Sequence, residues 1–463
     1  MGRIFQSFES FSAVEPITKG WSEDKKYCVT LADGTKYLLR ITPIERYETR
    51  KSLYATLQKV AALRLPMCMP VEFGTCDDGV YALHSWIDGE DLTDVLPLLS
   101  ETEQYVLGLQ SGEILRKLHT IPAPESQEEW ASRFNRKTDT KIQKYHECGL
   151  RFDGDEHVLA YIEHNRHLLE NRPQCFQHGD YHVGNMMMQD DALTIIDFDR
   201  YDFGDPWEEF NRIVWSAAAS PHFATGQLRG YFGGEPPLAF FQLLAFYIAS
   251  NTLSSVYWAI PFGTAEIDTI MAQAQDVLRW FGNMQSPVPT WYLKECELWD
   301  IYDANHNLTD KTILRSEAKD LKPGDFHLAA FIYILRSDGK FLITKRSPQK
   351  KTFPNMWEIP HGAVQSGETS LDAAIREAFE ECGLVLQREN AELITKYCGD
   401  NLIADKWLFQ QNFNLDDIVL QDGETCDAHA CTLDDMLTLI KNNEMQEYIY
   451  HDANLIKEKR SGA

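Results

Sequence analysis

Glu377, Glu380 and Glu381 would fall within about one and a half turns of a helix. Like charges at that spacing repel by a few tenths of a kcal/mol per pair, at roughly 0.2–0.5. The cluster becomes an asset once a hard divalent cation sits between the carboxylates, because such ions prefer oxygen ligands. A cation held there can polarise a phosphate and acidify the water that attacks it. A second polar set stands in FQHGDYHVGNMMMQDDALTIIDFDRYDFGDPWEEF, with His178, Asp180, His182, Asn185, Asp197, Asp199 and Asp205. Asp180 and Asn185 have the spacing by which a catalytic loop offers a carboxylate to a substrate hydroxyl and an amide oxygen to magnesium. Asp197, at the end of the strand pattern ALTIIDF, completes an oxygen-only shell suited to that ion. This is phosphoryl-transfer chemistry. A zinc site on His178 and His182 is the competing reading, but the other ligands on offer are hard oxygens.

The elements that must carry these groups are visible in the patterning. KKYCVTLADGTKYLLRI reads as a hairpin about Asp33-Gly34, and FHLAAFIYILRSDGKFLITKR as two strands about Asp338-Gly339. In EQYVLGLQSGEILRKLH, Leu107, Ile114, Leu115 and Leu118 recur at helical spacing. Residues 371–382 read as an amphipathic helix closed by Gly383, with Glu377 one turn before Glu380 and Glu381, so that the three carboxylates converge. Two prolines, Pro287 and Pro289, are expected to stop the helix of MAQAQDVLRWFGNM. The chain is therefore cut near 290, into domains 1–290 and 291–463 of a two-domain α+β protein.

With 463 residues, more than one core is required. The 44% apolar and 25% charged fractions are those of a globular protein. No run of about 18 uninterrupted apolar residues and no basic-then-apolar leader is evident, so a cytoplasmic protein without a membrane partner is expected. Ten scattered cysteines without a C-x-x-C pair point to free thiols. The net charge is −26; residues 291–463 carry 19 Lys+Arg and 30 Asp+Glu, or −11, leaving −15 for residues 1–290. Such a field disfavours nucleic acid. No oligomeric state follows.

The 178–205 stretch resembles the aminoglycoside phosphotransferase and choline kinase-like family, over residues 15–285. The resemblance implies a bilobal protein-kinase-like fold, with Asp180 as the base or hydroxyl-orienting group, Asn185 and Asp197 as magnesium ligands, and Asp205 as a brace for the loop. Only seven residues separate Asp197 from Asp205, too few for a protein kinase's activation segment, so a small-molecule hydroxyl is the expected acceptor. KGWSEDKKY, with Gly20 and Ser22, is the expected phosphate-covering loop, although it holds a single glycine. Arg40 in YLLRI stands where the family has a phosphate-binding lysine; Arg can take that role bidentately, and Glu45 or Glu48 would be its partner. The segment 84–92, with His84 and Trp86, would be the hinge that reads the base of ATP or GTP.

The run from Gly362 through Glu368, Arg376-Glu377 and Glu380-Glu381 to Gly383-Leu384 has the spacing of the Nudix box, and residues 296–455 resemble a Nudix hydrolase, an α/β/α sandwich. The branch near isopentenyl-diphosphate isomerase is nearer, through LWDIYDANHN and GDFHLAAFIYIL. FPNMWEIPHGAV lacks the cysteine that isomerase uses, so isomerisation is disfavoured. A solvated acidic helix face would not account for the two glycines. The resemblance implies Glu377, Glu380 and Glu381 as ligands of Mg2+ or Mn2+, Arg376 and Glu368 as braces, and Glu424 as a further ligand or base. Ala378, where a larger aliphatic is usual, and His361 depart from the pattern. The expected whole is a bifunctional enzyme: a kinase for a small-molecule hydroxyl, and a hydrolase of a nucleoside diphosphate derivative. Two alternatives are a chain in which one half is a nucleotide-binding sensor, and an aminoglycoside-modifying resistance kinase.

Overall fold

Gly34 takes φ +86°, and the Thr35 N–H bonds Asp33 Oδ1 at 2.9 Å, so the Asp-Gly turn closes the hairpin of Lys25–Thr30 and Lys36–Thr42. The computed structural model describes Phe5 and residues 8–18, 24–190 and 192–461. The chain divides into two units, Met1–Lys294 and Glu295–Ala463.

In the first unit, an antiparallel sheet runs in the order Ala13–Ile17, Lys25–Thr30, Lys36–Thr42, Gly79–Ser85, Pro70–Cys76. Helix Tyr47–Ala61 buries Leu53, Leu57 and Val60, and Tyr54 stacks on Phe73. The larger second lobe is helical. Helix Glu101–Leu118 begins in a capping box of Ser100 and Glu103 and buries Leu107, Ile114, Leu115 and Leu118 as the spacing predicts. It packs tightly on helix Pro221–Phe232: a Cβ on Gly112 would lie 2.2 Å from the Gln227 carbonyl oxygen. Helix Leu238–Ala259 is long and apolar enough to cross a membrane by composition, but it forms the centre of this lobe, with Phe240, Leu244, Tyr247 and Leu253 fully buried. This is the bilobal kinase-like architecture.

Helix Thr264–Trp280 ends before the prolines expected to stop it. Gly282, Asn283 and Met284 all take positive φ, which breaks the helical run seven residues before Pro287. Trp291 and Tyr292 then pack into the helical core, and Tyr292 donates to Glu235 Oε2 at 2.6 Å. That packing draws the division beyond 290, to Lys294.

In the second unit, strand Phe326–Leu335 pairs in parallel with Leu402–Gln410 and antiparallel with His361–Ala363. Its side chains alternate. Leu328, Ala330, Ile332 and Ile334 meet Ala373, Ala374 and Ala378 of helix Ser370–Cys382 on one face. Ala329, Phe331, Tyr333 and Leu335 meet Met436, Ile449 and Ile456 of helices Leu433–Lys441 and Ile449–Ser461 on the other. The result is an α/β/α sandwich. Ala378 belongs to a face of three alanines on the sheet, so the absence of a larger aliphatic there leaves no mismatch. None of the ten cysteines is in a disulfide.

Candidate functional site

In the first unit, residues 178–185 join strand Cys175–Gln177 to strand Met186–Gln189. His178 is fully buried, and burial lowers its pKa, so the ring is neutral. Its Nδ1 accepts from the Asp180 N–H at 3.3 Å, and Nε2 donates to the Ile196 carbonyl at 2.9 Å. Both nitrogens are used, which excludes the zinc reading. Gly179 takes φ +83°, and a Cβ there would lie 1.9 Å from the Arg200 carbonyl oxygen. Only glycine fits.

The Asp180 carboxylate faces Arg212 Nε at 3.3 Å, His182 Nε2 at 3.6 Å and Arg200 Nε at 3.8 Å. Burial alone would raise its pKa; the nearby His182 N–H and the two arginine charges outweigh that and hold it well below the carboxylate range. Asp180 is thus ionised at neutral pH and a weak base, better suited to orienting a hydroxyl than to removing its proton early. Asn185 Nδ2 donates to the Asp180 carbonyl at 2.8 Å, which commits the nitrogen and leaves Oδ1 as the oxygen for a cation. Ile196 N–H bonds the Asn185 carbonyl at 3.0 Å and so ties the loop to the next strand. Asp197 follows that strand with φ +62°, its side chain 46% exposed and 3.6 Å from Arg40.

Arg40 reaches across from the sheet lobe. Its partners are Asp24, at 3.0 Å, and Asp199, rather than Glu45 or Glu48, which are exposed. Arg50 of helix Tyr47–Ala61 joins the same two carboxylates. Where Glu45 or Glu48 was expected, the helix offers an arginine instead. Local patterning carries no mark of Arg50 or Asp24, because both are brought in from other elements. His84 lies on the Arg40 face of the sheet, as the Leu38 partner in the pairing. It is buried, its pKa pushed down to about 4 by burial and the Arg40 charge. Trp86 is half-buried in the segment that follows. Gly20 and Ser22 lie outside the described residues.

Asp205 is fully buried, accepting from Arg172 Nε at 2.7 Å and Nη2 at 2.9 Å, from Tyr247 at 2.6 Å and from the Trp207 N–H at 3.0 Å. Glu209, also buried, accepts from the Gly179 N–H at 2.9 Å. These two carboxylates anchor the loop from below. Arg172→Met strands Asp205 without its counter-charge and is expected to destabilise this unit by about 3–5 kcal/mol. Urea denaturation checks the loss; Arg172→Lys recovers only part of it.

In the second unit, Arg376 is the hub of the acidic helix. Its Nε and Nη2 bond Glu368 at 3.0 and 2.9 Å, Nη2 bonds the Ala363 carbonyl at 3.0 Å, and Nη1 bonds Glu377 at 2.6 Å and Glu380 at 3.0 Å. The loop before the helix is thereby clamped to it. The three glutamates do not converge equally: Glu380 is 45% exposed, while Glu377 and Glu381 turn inward. Burial raises the Glu377 pKa to about 7. Glu381 is raised well above the usual range by burial and by Glu377, Glu358 and Glu424. Glu358 was not expected here. It belongs to strand Trp357–Glu358, is 3% exposed, and is held by Arg346 at 2.9 and 3.0 Å. Glu424 pairs with Lys350. His361 stacks on Phe331 with ring centroids 5.0 Å apart.

Gly362 is required by close approach, since a Cβ there would lie 2.0 Å from Glu377 Cδ. Gly362→Ala must displace the Glu377 carboxylate. It is expected to cost about 1–3 kcal/mol of stability and to depress any metal-dependent turnover of this unit more than its melting temperature. Thermal denaturation and steady-state assays on one preparation check this.

Residues 13–241 match the phosphotransferase enzyme family, and residues 325–452 match the NUDIX domain. An uncharacterized Nudix hydrolase of Listeria monocytogenes is 33% identical over 155 residues, which cover 33% of this chain and 90% of that relative. The chain belongs to the Nudix hydrolases. Its Nudix domain follows a domain that matches the phosphotransferase enzyme family. An isopentenyl-diphosphate isomerase of Paenarthrobacter aurescens is 41% identical over 59 residues, 12% of this chain and 32% of the relative. Among solved structures, a thermostable mutant of an aminoglycoside phosphotransferase in its apo form is 19% identical with a TM-score of 0.44, covering 59% of this chain and 96% of that one.

Do the side chains of the Nudix domain fit a divalent cation? Among the described residues, no three His, Cys, Asp or Glu side chains are gathered tightly enough to hold one as they stand, because Arg376 occupies the space between Glu377 and Glu380. The chemistry of the set nonetheless fits. Glu381 Oε2 is buried without a hydrogen-bond partner and surrounded by like charge, a cost that a cation between the carboxylates removes.

Proposed function

We propose that the chain is a bifunctional cytoplasmic enzyme. Its phosphotransferase domain moves the γ-phosphate of ATP or GTP to a hydroxyl of a small molecule. Its Nudix domain hydrolyses a nucleoside diphosphate linked to another group. Both steps use Mg2+ or Mn2+, which when bound neutralises charge on the phosphates and, in the Nudix domain, acidifies water.

The observation that carries the first activity is the tie between Asn185 and the Asp180 backbone, which fixes a hydroxyl-orienting carboxylate and an amide oxygen in one loop opposite Asp197. Asp180 holds the acceptor hydroxyl, Asn185 and Asp197 supply oxygens to the cation, and Arg40 stands across the cleft to meet donor phosphate. In the Nudix domain, Glu377, Glu380 and Glu381 supply the oxygens, and Arg376 with Glu368 holds helix and loop in register. Glu424, whose charge bears on Glu381, serves as a further ligand or base.

The test is a metabolite screen that follows consumption of ATP, GTP and nucleoside diphosphate derivatives by the whole chain, by Asp180→Asn and by Glu381→Gln. Each substitution should silence one activity and spare the other. Consumption unaffected by either would overturn the assignment. A second reading makes the first domain a nucleotide-binding sensor, favoured by the engagement of Arg40 with Asp24 and Asp199. It predicts nucleotide binding without transfer to any acceptor.

A further inference from the structure

Arg200 and Arg212 flank the Asp180 carboxylate, yet neither guanidinium donates a hydrogen bond to another described residue. For Arg200, 48% exposed, water can compensate. Arg212 is three-quarters buried, and its Nε, shielded from water, lies 3.3 Å from Asp180 Oδ1 without completing a hydrogen bond. A buried donor left without a hydrogen bond is costly, and more so when charged. The cost falls away once a ligand oxygen accepts.

Other charges on this side point the same way. Lys141 of helix Trp130–Glu147 is stripped of water by burial, and the Lys137 and Arg212 charges help hold its pKa down to about 7. Lys137, Arg200 and Arg212, with Lys141 only partly charged at neutral pH, share this side with the carboxylates Asp180, Glu208 and Glu209. Two of the three have other duties: Glu209 accepts from the Gly179 N–H at 2.9 Å, and Glu208 from Gln177 at 3.0 Å. With those two carboxylates engaged, the cations beside Asp180 are not fully matched, in residues 1–290 that sum to −15.

We propose that Arg200 and Arg212 receive an oxyanion of the acceptor, so that the hydroxyl oriented by Asp180 belongs to a small molecule carrying a phosphate or carboxylate group. This rests on the reading of Asp180 given above. The two guanidiniums stand 3.8 and 3.3 Å from the carboxylate that orients the acceptor hydroxyl, which puts them on the acceptor side of the site. Guanidinium groups bind phosphate and carboxylate bidentately. A polycationic aminoglycoside would meet like charge at this point.

The experiment uses the full chain with ATP or GTP and matched acceptors: ribose 5-phosphate against ribose, glycerate against glycerol, and an aminoglycoside. The anionic member of a pair should be the better substrate. Arg200→Gln, chosen because the half-exposed side chain can be changed without unfolding the lobe, should raise its KM about tenfold or more, as for the loss of a hydrogen bond to a charged group, with little change in kcat or in the nucleotide KM. Preference for the neutral or polycationic acceptor overturns the proposal, as does a rise in the nucleotide KM instead. A binding arm needs no turnover: sodium sulfate should raise the melting temperature of the unsubstituted protein more than that of Arg200→Gln. Equal shifts overturn the oxyanion receptor. Absence of phosphorylation of every acceptor, together with unequal sulfate shifts, would instead count against the kinase reading and leave the receptor standing.

Discussion

Asp180→Asn lowers phosphoryl transfer by about 10²–10⁴-fold and leaves Nudix hydrolysis unchanged. The substitution keeps the loop, because what holds the loop is backbone and neighbouring side chains: His178 to the Ile196 carbonyl, Asn185 to the Asp180 carbonyl, and Gly179 to Glu209. Only the charge that orients the hydroxyl is lost. Asn at this position also leaves Arg200 and Arg212 without the carboxylate between them, so an anionic acceptor should bind no more weakly while turnover falls. Coupled assays with separate donor and acceptor titrations read the two effects. Transfer at an undiminished rate would remove Asp180 from its role.

Glu381→Gln abolishes magnesium- or manganese-dependent hydrolysis and at the same time makes the metal-free Nudix domain melt higher. The two outcomes share one cause. Glu381 is buried, its Oε2 has no partner, and the charges of Glu377, Glu358 and Glu424 bear on it. A carboxylic acid with a raised pKa costs stability above the pKa it has when unfolded, since folding must then force a proton onto it. The gain from Gln therefore grows as pH rises through the usual Glu range and vanishes below it. Adding the cation should raise the melting temperature of the unsubstituted protein and not that of the variant. A variant that melts lower at neutral pH, or that keeps its metal-dependent shift, would show that Glu381 is a structural acid.

The same contrast between local and assembled features explains what could be read from the chain. Asp33-Gly34 and Asp338-Gly339 mark hairpins because the turn itself constrains φ. Leu107, Ile114, Leu115 and Leu118 mark a helix because burial repeats with its pitch. Helix Thr264–Trp280 ends ahead of the prolines because three residues that follow it take positive φ, two of them not glycine, and propensity alone does not foresee these. Trp291 and Tyr292 joined the first unit for a reason that no linker composition reveals: a core lay within reach.

By itself, the amino-acid sequence determined the two domain types and the short-range constellations, Asp180 with Asn185 and Glu368 with Arg376 through Glu381, because loop and helix geometry fix such groups over a few residues. Only the tertiary structure decided who surrounds them. Arg50 and Asp24 come to Arg40, Arg212 and Arg200 to Asp180, and Glu358 to Glu381 from elements distant along the chain. Charge acts through space, so the protonation of a carboxylate and the sign of the ligand it awaits are set by neighbours that packing alone brings together.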